Sequence, residues 1–188
     1  MKYKLLTPAT LYAVSLAEAK AHLRVDHTDD DTYITQLIKV ATDAVEQYTG
    51  RQLLPATWAA YADSFEPVLR LRPSPVSGVT SLKYFNSANT EITLTDNTDY
   101  FVDLVSAPAE IVPVSSWPAT YARPNAVVVE FTAGYASADL VPDAIKQAML
   151  LLIYHYYDHR EEVITRISMT EMPKTSTWLL DPYRIKTF

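Results

Sequence analysis

Two histidines, His155 and His159, stand four residues apart in a stretch with helical spacing, with Asp158 and Glu162 close by. That spacing puts both imidazoles on one helix face, the way a pair of zinc ligands is presented. The hydrolytic form of the motif needs a glutamate directly after the first histidine, and Tyr156 stands there instead. His155 therefore reads as a member of an aromatic cluster, and His159 as a residue of a helix C-terminal turn, where a cation is stabilised. The triplet Asp29, Asp30, Asp31 has the charge of a calcium loop but lacks the interleaved oxygen ligands and the terminal glutamate, so it reads as a helix start. Thr132-Ala133-Gly134-Tyr135 lacks the further glycines of a phosphate cradle, and no serine or lysine sits in a nucleophile motif such as GxSxG. The thirteen tyrosines and three tryptophans read as core and interface aromatics rather than a base-stacking platform. No catalytic residue, cofactor site or metal site is expected. The competing reading is a small metal-dependent hydrolase using His155, His159 and Glu162.

The element that carries those histidines is Val141 to Glu162. Pro142 suits a helix first turn, and Asp143 meets the positive end of the dipole. Ile145, Ala148, Met149, Leu152, Ile153 and Tyr156 follow helical spacing, yet from Ala148 to Tyr157 every face except that of His155 is apolar or aromatic. Such a helix must be covered on more than one side, by its own domain and by a neighbouring chain. It is too short and too polar at its ends to span a bilayer. The pattern points to assembly.

Composition narrows the field further. The chain of 188 residues is long enough for one good core, or for one core with a substantial insertion. It has no cysteine, which fits a reducing compartment, and the N-terminus shows no apolar h-region, so neither signal peptide nor membrane anchor is expected. Net charge is −6, and no segment offers the basic stripe that phosphate-driven DNA binding requires. An acidic protein can still surround DNA without adhering to it.

The remaining elements are legible from caps and periods. Ser15-Leu16-Ala17-Glu18 is a capping box opening a short helix through Leu23. After the aspartates, Ile34, Leu37, Ile38, Ala41, Val45 and Tyr48 mark a second helix that Thr49-Gly50 stops. From Arg51 the period changes to short β-forming runs at 57–65, 68–71, 79–85, 91–94, 100–104, 110–112 and 126–132, punctuated by turn residues. Leu82, Tyr84, Ile92 and Leu94 suit a hairpin turning around Asn86–Thr90. Beyond Glu162, a polar stretch to Thr177 reads as either mobile or partner-ordered, followed by the apolar cluster Trp178, Leu179, Leu180, Tyr183. The expected fold class is α+β. Residues 1–52 and 136–188 form a helical body, with residues 53–135 as a β-rich insertion.

Taken in order, these pieces resemble the head–tail connector (adaptor) proteins of tailed phages and gene transfer agents. The resemblance runs through Leu16 to Asp26 (LAEAKAHLRVD), Tyr48 to Leu53 (YTGRQL) and Arg72-Pro73-Ser74-Pro75-Val76. It continues through Phe131 to Tyr135, Val141-Pro142 with the long helix, and Leu179 to Arg184 (LLDPYR). Where the family often has Glu-Asn, this chain has Asp158-His159. The resemblance implies a non-enzymatic ring, commonly dodecameric, beneath the portal protein. That ring lets DNA pass without specific binding and presents a surface to the downstream neck or tail-completion protein. It implies assembly in the host cytoplasm, a final place in the virion neck, and no membrane partner. On this reading helices 15–49 and 142–160 make the ring contacts, with Ile38, Met149, Ile153 and Tyr157 as interface positions. Arg160, Trp178, Leu179, Leu180, Tyr183 and Arg184 would dock on the portal. Alternatively, Trp178 to Tyr183 cap the subunit's own core.

Overall fold

The computed structural model describes residues 1–159 and 174–185. The fold is mixed α and β, divided into two units: Met1–Thr10 with Leu54–Ala136, and Leu11–Leu53 with Ser137–Phe188.

The first unit is built of antiparallel strands. They are β1 (Lys2–Thr7), β2 (Ala56–Ala62), β3 (Leu69–Leu71), β4 (Val76–Phe85), β5 (Glu91–Leu94), β6 (Tyr100–Asp103), β7 (Ala109–Pro113) and β8 (Val127–Ala133). Five pair in the order β1-β2-β8-β4-β5 and three in the order β3-β7-β6. Strict alternation puts Val127, Val129, Phe131 and Ala133 of β8 inward, where they share one apolar core with Leu69, Leu71, Leu82, Tyr100 and Ile111 from both sheets. The expected hairpin is present, with Leu82 opposite Leu94 and Tyr84 opposite Ile92. Asn86 fixes its turn by accepting from the backbone N–H groups of Ala88 and Thr90. Gly134, at φ +121°, brings its backbone against Leu54 and Pro55, leaving no room for a Cβ.

The helical body is only roughly as expected, and the start of its N-terminal part is corrected. Residues Lys2–Thr7 form a strand on the edge of the larger sheet, paired with β2, so the first ten residues belong with the strands. Every residue of β1 is exposed, and an edge strand that buries neither face carries no alternation to read.

The second unit holds α1 (Leu16–Leu23), α2 (Asp31–Thr49), α3 (Asp143–Asp158) and α4 (Lys174–Leu180). The capping box forms in full: Glu18 N–H donates to Ser15 Oγ, and Ser15 N–H donates to the Glu18 carboxylate at 2.7 Å. The serine hydroxyl and amide hold the Glu18 pKa below the usual carboxylate range. Asp31, in the first turn of α2, pairs with Lys20 at 2.6 Å. α2 ends on Gly50 in the left-handed conformation, its N–H donating to Glu46 O. The buried stripe of α2, Ile34, Leu37, Ile38, Ala41 and Val45, packs with Ile145, Ala148, Met149, Leu152 and Ile153 of α3, and α1 and α4 cover further sides of α3. Among the described residues no helix is long and apolar enough to cross a membrane.

Candidate partner-docking surface

The last described segment packs one face of α4 chiefly on α3 and then reaches the end of α2. In α4, Ser176 and Leu180 lie four apart and are both fully buried, whereas Trp178 points away and is 74% exposed. A 3-10 turn, Asp181–Tyr183, then brings the chain across the end of α2. Tyr48 OH donates to Asp181 at 2.5 Å, Arg51 Nε donates to Tyr183 O at 2.6 Å, and Ile185 N–H donates to Thr49 O at 2.8 Å. The Arg184 guanidinium lies 5.3 Å from the centre of the Tyr48 ring. The hydrogen bond to Asp181 raises the Tyr48 pKa, because it is made by the protonated phenol.

On the other side of the same turn, Glu46 reaches past the end of its helix. Its Oε1 accepts from Gln52 Nε2 at 2.7 Å and from Leu53 N–H at 2.8 Å. Burial pushes the Glu46 pKa up to about 7 against the Leu53 hydrogen bond, and Asp43 raises it further.

The expected site residues divide by exposure. Ile38, Met149 and Ile153 are buried inside the unit and offer no surface to another subunit; their place as interface positions is corrected. The apolar coat of α3 is covered largely by its own chain. Tyr157 is half-buried and donates to Asp30 at 2.5 Å, joining the end of α3 to the start of α2. Leu180 is likewise buried and is corrected from a docking anchor to a core residue, while Trp178 and Arg184 are exposed and Leu179 and Tyr183 half-buried. Arg160 lies outside the described residues, as do Glu162 and the polar stretch before Lys174.

Exposed apolar side chains that periodicity alone did not single out are Val40 on α2, Tyr154 on α3, and Leu11 and Leu140 in the connections. Val40 was legible as an apolar residue off the buried stripe. In the strand unit, Val105 stands 97% exposed on the turn after β6. That turn is held by Asp103, which accepts from Val105 N–H, Ser106 N–H and Ser106 Oγ. The Ser106 hydroxyl and the two amides keep the Asp103 pKa low.

The histidine pair is packed as an aromatic couple at the end of α3. The rings of His155 and His159 lie 4.9 Å apart, His155 is tilted against Tyr156, and His159 Nδ1 lies 3.0 Å from His155 O. Among the described residues, no group of three histidine, cysteine or acidic side chains is arranged to hold a metal ion.

A surface built this way, one helical segment pinned by buried and backbone contacts while a tryptophan faces solvent, suits protein docking. The comparison with known families decides its context: residues 13–108 match the model of the phage gp6-like head–tail connector protein family. The chain belongs to that family. This connector also shares its fold with chains in solved gene transfer agent (GTA) particles. One is from the virion of the native particle, with TM-score 0.82 and 22% identity. A second is from the neck of the empty particle computed with C6 symmetry, with TM-score 0.79 and 23% identity. A third is from the neck of the native particle computed with C12 symmetry, with TM-score 0.77 and 21% identity. In all three the alignment covers 100% of this connector and 98% of the other chain. No curated protein matches the chain.

Proposed function

We propose that copies of this connector close into a ring, twelve-membered in the particle, at the head–tail junction of a phage or prophage-like particle. The ring extends the DNA channel below the portal protein and supports the downstream neck or tail-completion protein. The observation that carries this reading is the family match over residues 13–108, joined to a fold shared end to end with neck chains of a GTA particle. Such contacts in a closed ring are heterologous, one patch meeting a different patch on the neighbour. Because the long helix is covered within its own unit, these contacts fall on exposed side chains such as Val40 and Tyr154. The role is structural rather than enzymatic, without cofactor or membrane partner. Assembly takes place in the host cytoplasm and the product is carried in the virion neck.

Portal docking is assigned to Trp178 and Arg184, with Leu179 and Tyr183 at the margin of the patch and Arg160, earlier in the sequence, as a further contact. Tryptophan and arginine are among the residue types enriched at interface hot spots, and Trp178 and Arg184 are both exposed. DNA passes without specific binding, in keeping with a net charge of −6. The test is native mass spectrometry of the connector alone and with its cognate portal. A ring, alone or formed on the portal, is the expected result; a monomer that ignores the portal overturns the reading.

A further inference from the structure

The turn that follows α2 is gripped from two directions. Glu46 holds its far side, at Gln52 and Leu53, while Tyr48, Thr49 and Arg51 hold Asp181, Ile185 and Tyr183 of the C-terminal segment. Gly50 lies at the centre, and a Cβ built on it would sit 3.5 Å from Ile185 Cβ. The two grips share one backbone turn of four residues, Thr49 to Gln52, so a displacement on one side moves the other.

The Glu46 carboxyl sits in this turn without a counter-charge among the described residues. Asp43, on the same helix, is acidic. Arg51 is directed to Tyr183 O, and Asp181 and Arg184 engage Tyr48. On the elements packed against α2, Asp143 pairs with Lys146, His155 and Asp158 lie against His159, Lys20 pairs with Asp31, Glu18 is held by Ser15, and Lys174 is exposed. The carboxyl also stands near the C-terminal end of α2, the negative end of the helix dipole. Neither grip requires the charged form, because a neutral acid still has a carbonyl oxygen for both N–H donors.

We propose that this turn is a proton-operated bracket: Glu46 as the uncharged acid closes it, and ionisation of Glu46 loosens the seat of Tyr183 to Ile185. An ionised carboxylate in this place is relieved by opening the turn to water, and the C-terminal segment loses the register of Thr49 O and Arg51 as it opens. The bracket thereby governs how firmly the chain from Asp181 to Ile185 is held at the end of α2, while α4 stays packed on α3.

Hydrogen exchange on the full-length chain between pH 6 and pH 8 tests this, read as protection factors corrected for the intrinsic rate. With Glu46 titrating at about 7 when closed and near the ordinary carboxylate range when open, protection of the Leu53 and Ile185 amides falls together by about tenfold over that interval. Both amides are expected to be less protected than Leu152 in α3, which marks local rather than global opening. In Glu46→Gln the fall is abolished. Ile185 protection that is unchanged with pH, or that does not follow Leu53, overturns the proposal. So does protection of both amides equal to that of Leu152. These readings come from the wild-type chain and decide the matter even where the variant does not fold.

Discussion

At the residue scale the informative groups are those whose polarity and burial conflict. Glu46 is a carboxyl largely moved off water with two N–H donors and no cation among the described residues, and its pKa rises from 4.5 to about 7. A folded-state pKa above the unfolded value means the folded protein holds the extra proton between those values. The associated stability is complete below about pH 4.5 and is lost as pH rises through 7. Glu46→Gln, which keeps an acceptor for Leu53 N–H, should therefore leave stability nearly unchanged at about pH 4. It should raise stability by about 1–3 kcal/mol at pH 8, read from denaturant midpoints at the two pH values. Gly134 supplies a second residue-scale test. Gly134→Ala places a Cβ on the Leu54 carbonyl and Pro55 nitrogen, which are backbone and cannot yield, and it forces a left-handed φ. It should cost at least about 3 kcal/mol or prevent folding, whereas Gly78→Ala, with nothing within 4 Å of the new Cβ, should shift the melting temperature little.

At the element scale, α4 separates what holds the subunit from what faces outward. Leu180→Ala removes a buried side chain and should destabilise by about 2–5 kcal/mol. Trp178→Ala removes an exposed one and should change stability by less than about 0.5 kcal/mol while weakening portal binding at least tenfold. Calorimetry paired with a portal pull-down reads both, and wild-type portal affinity in Trp178→Ala would remove that residue from the docking patch. The short helix α1 depends on its cap: Ser15→Ala should cost about 1 kcal/mol, since it removes the acceptor of Glu18 N–H and one donor to the Glu18 carboxylate. The caps, the second helix, the strand runs and the β4–β5 hairpin were all legible because each rests on neighbours within a few residues or on strict alternation. β1 was not, because its partner β2 lies some fifty residues away and both of its faces are exposed.

For the whole molecule, the family and the fold agree on a connector, and on the proposed function its charge sets how it meets DNA. A net charge of −6 gives a channel-forming protein no general affinity for phosphate. Duplex binding by the isolated connector should accordingly be undetectable at 150 mM salt and show no steep salt dependence in a filter-binding or anisotropy titration. A slope of several units in log affinity against log salt would place a basic surface that the sequence does not display.

Sequence alone determined the periods: which stretches coil, which alternate, where Ser15 opens a helix and where Gly50 ends one. It also carried the family, because the order of short motifs from Leu16 to Arg184 survives where single motifs are weak. Only the tertiary structure decided who buries whom. Periodicity states that Ile38, Met149, Ile153 and Leu180 must leave water, but not whether their own chain or a neighbour covers them. The answer here is their own chain, because α1, α2 and α4 all return to α3. The same contacts leave Trp178 outside and put Glu46, ordinary in sequence, half-buried against the turn after α2, where desolvation raises its pKa.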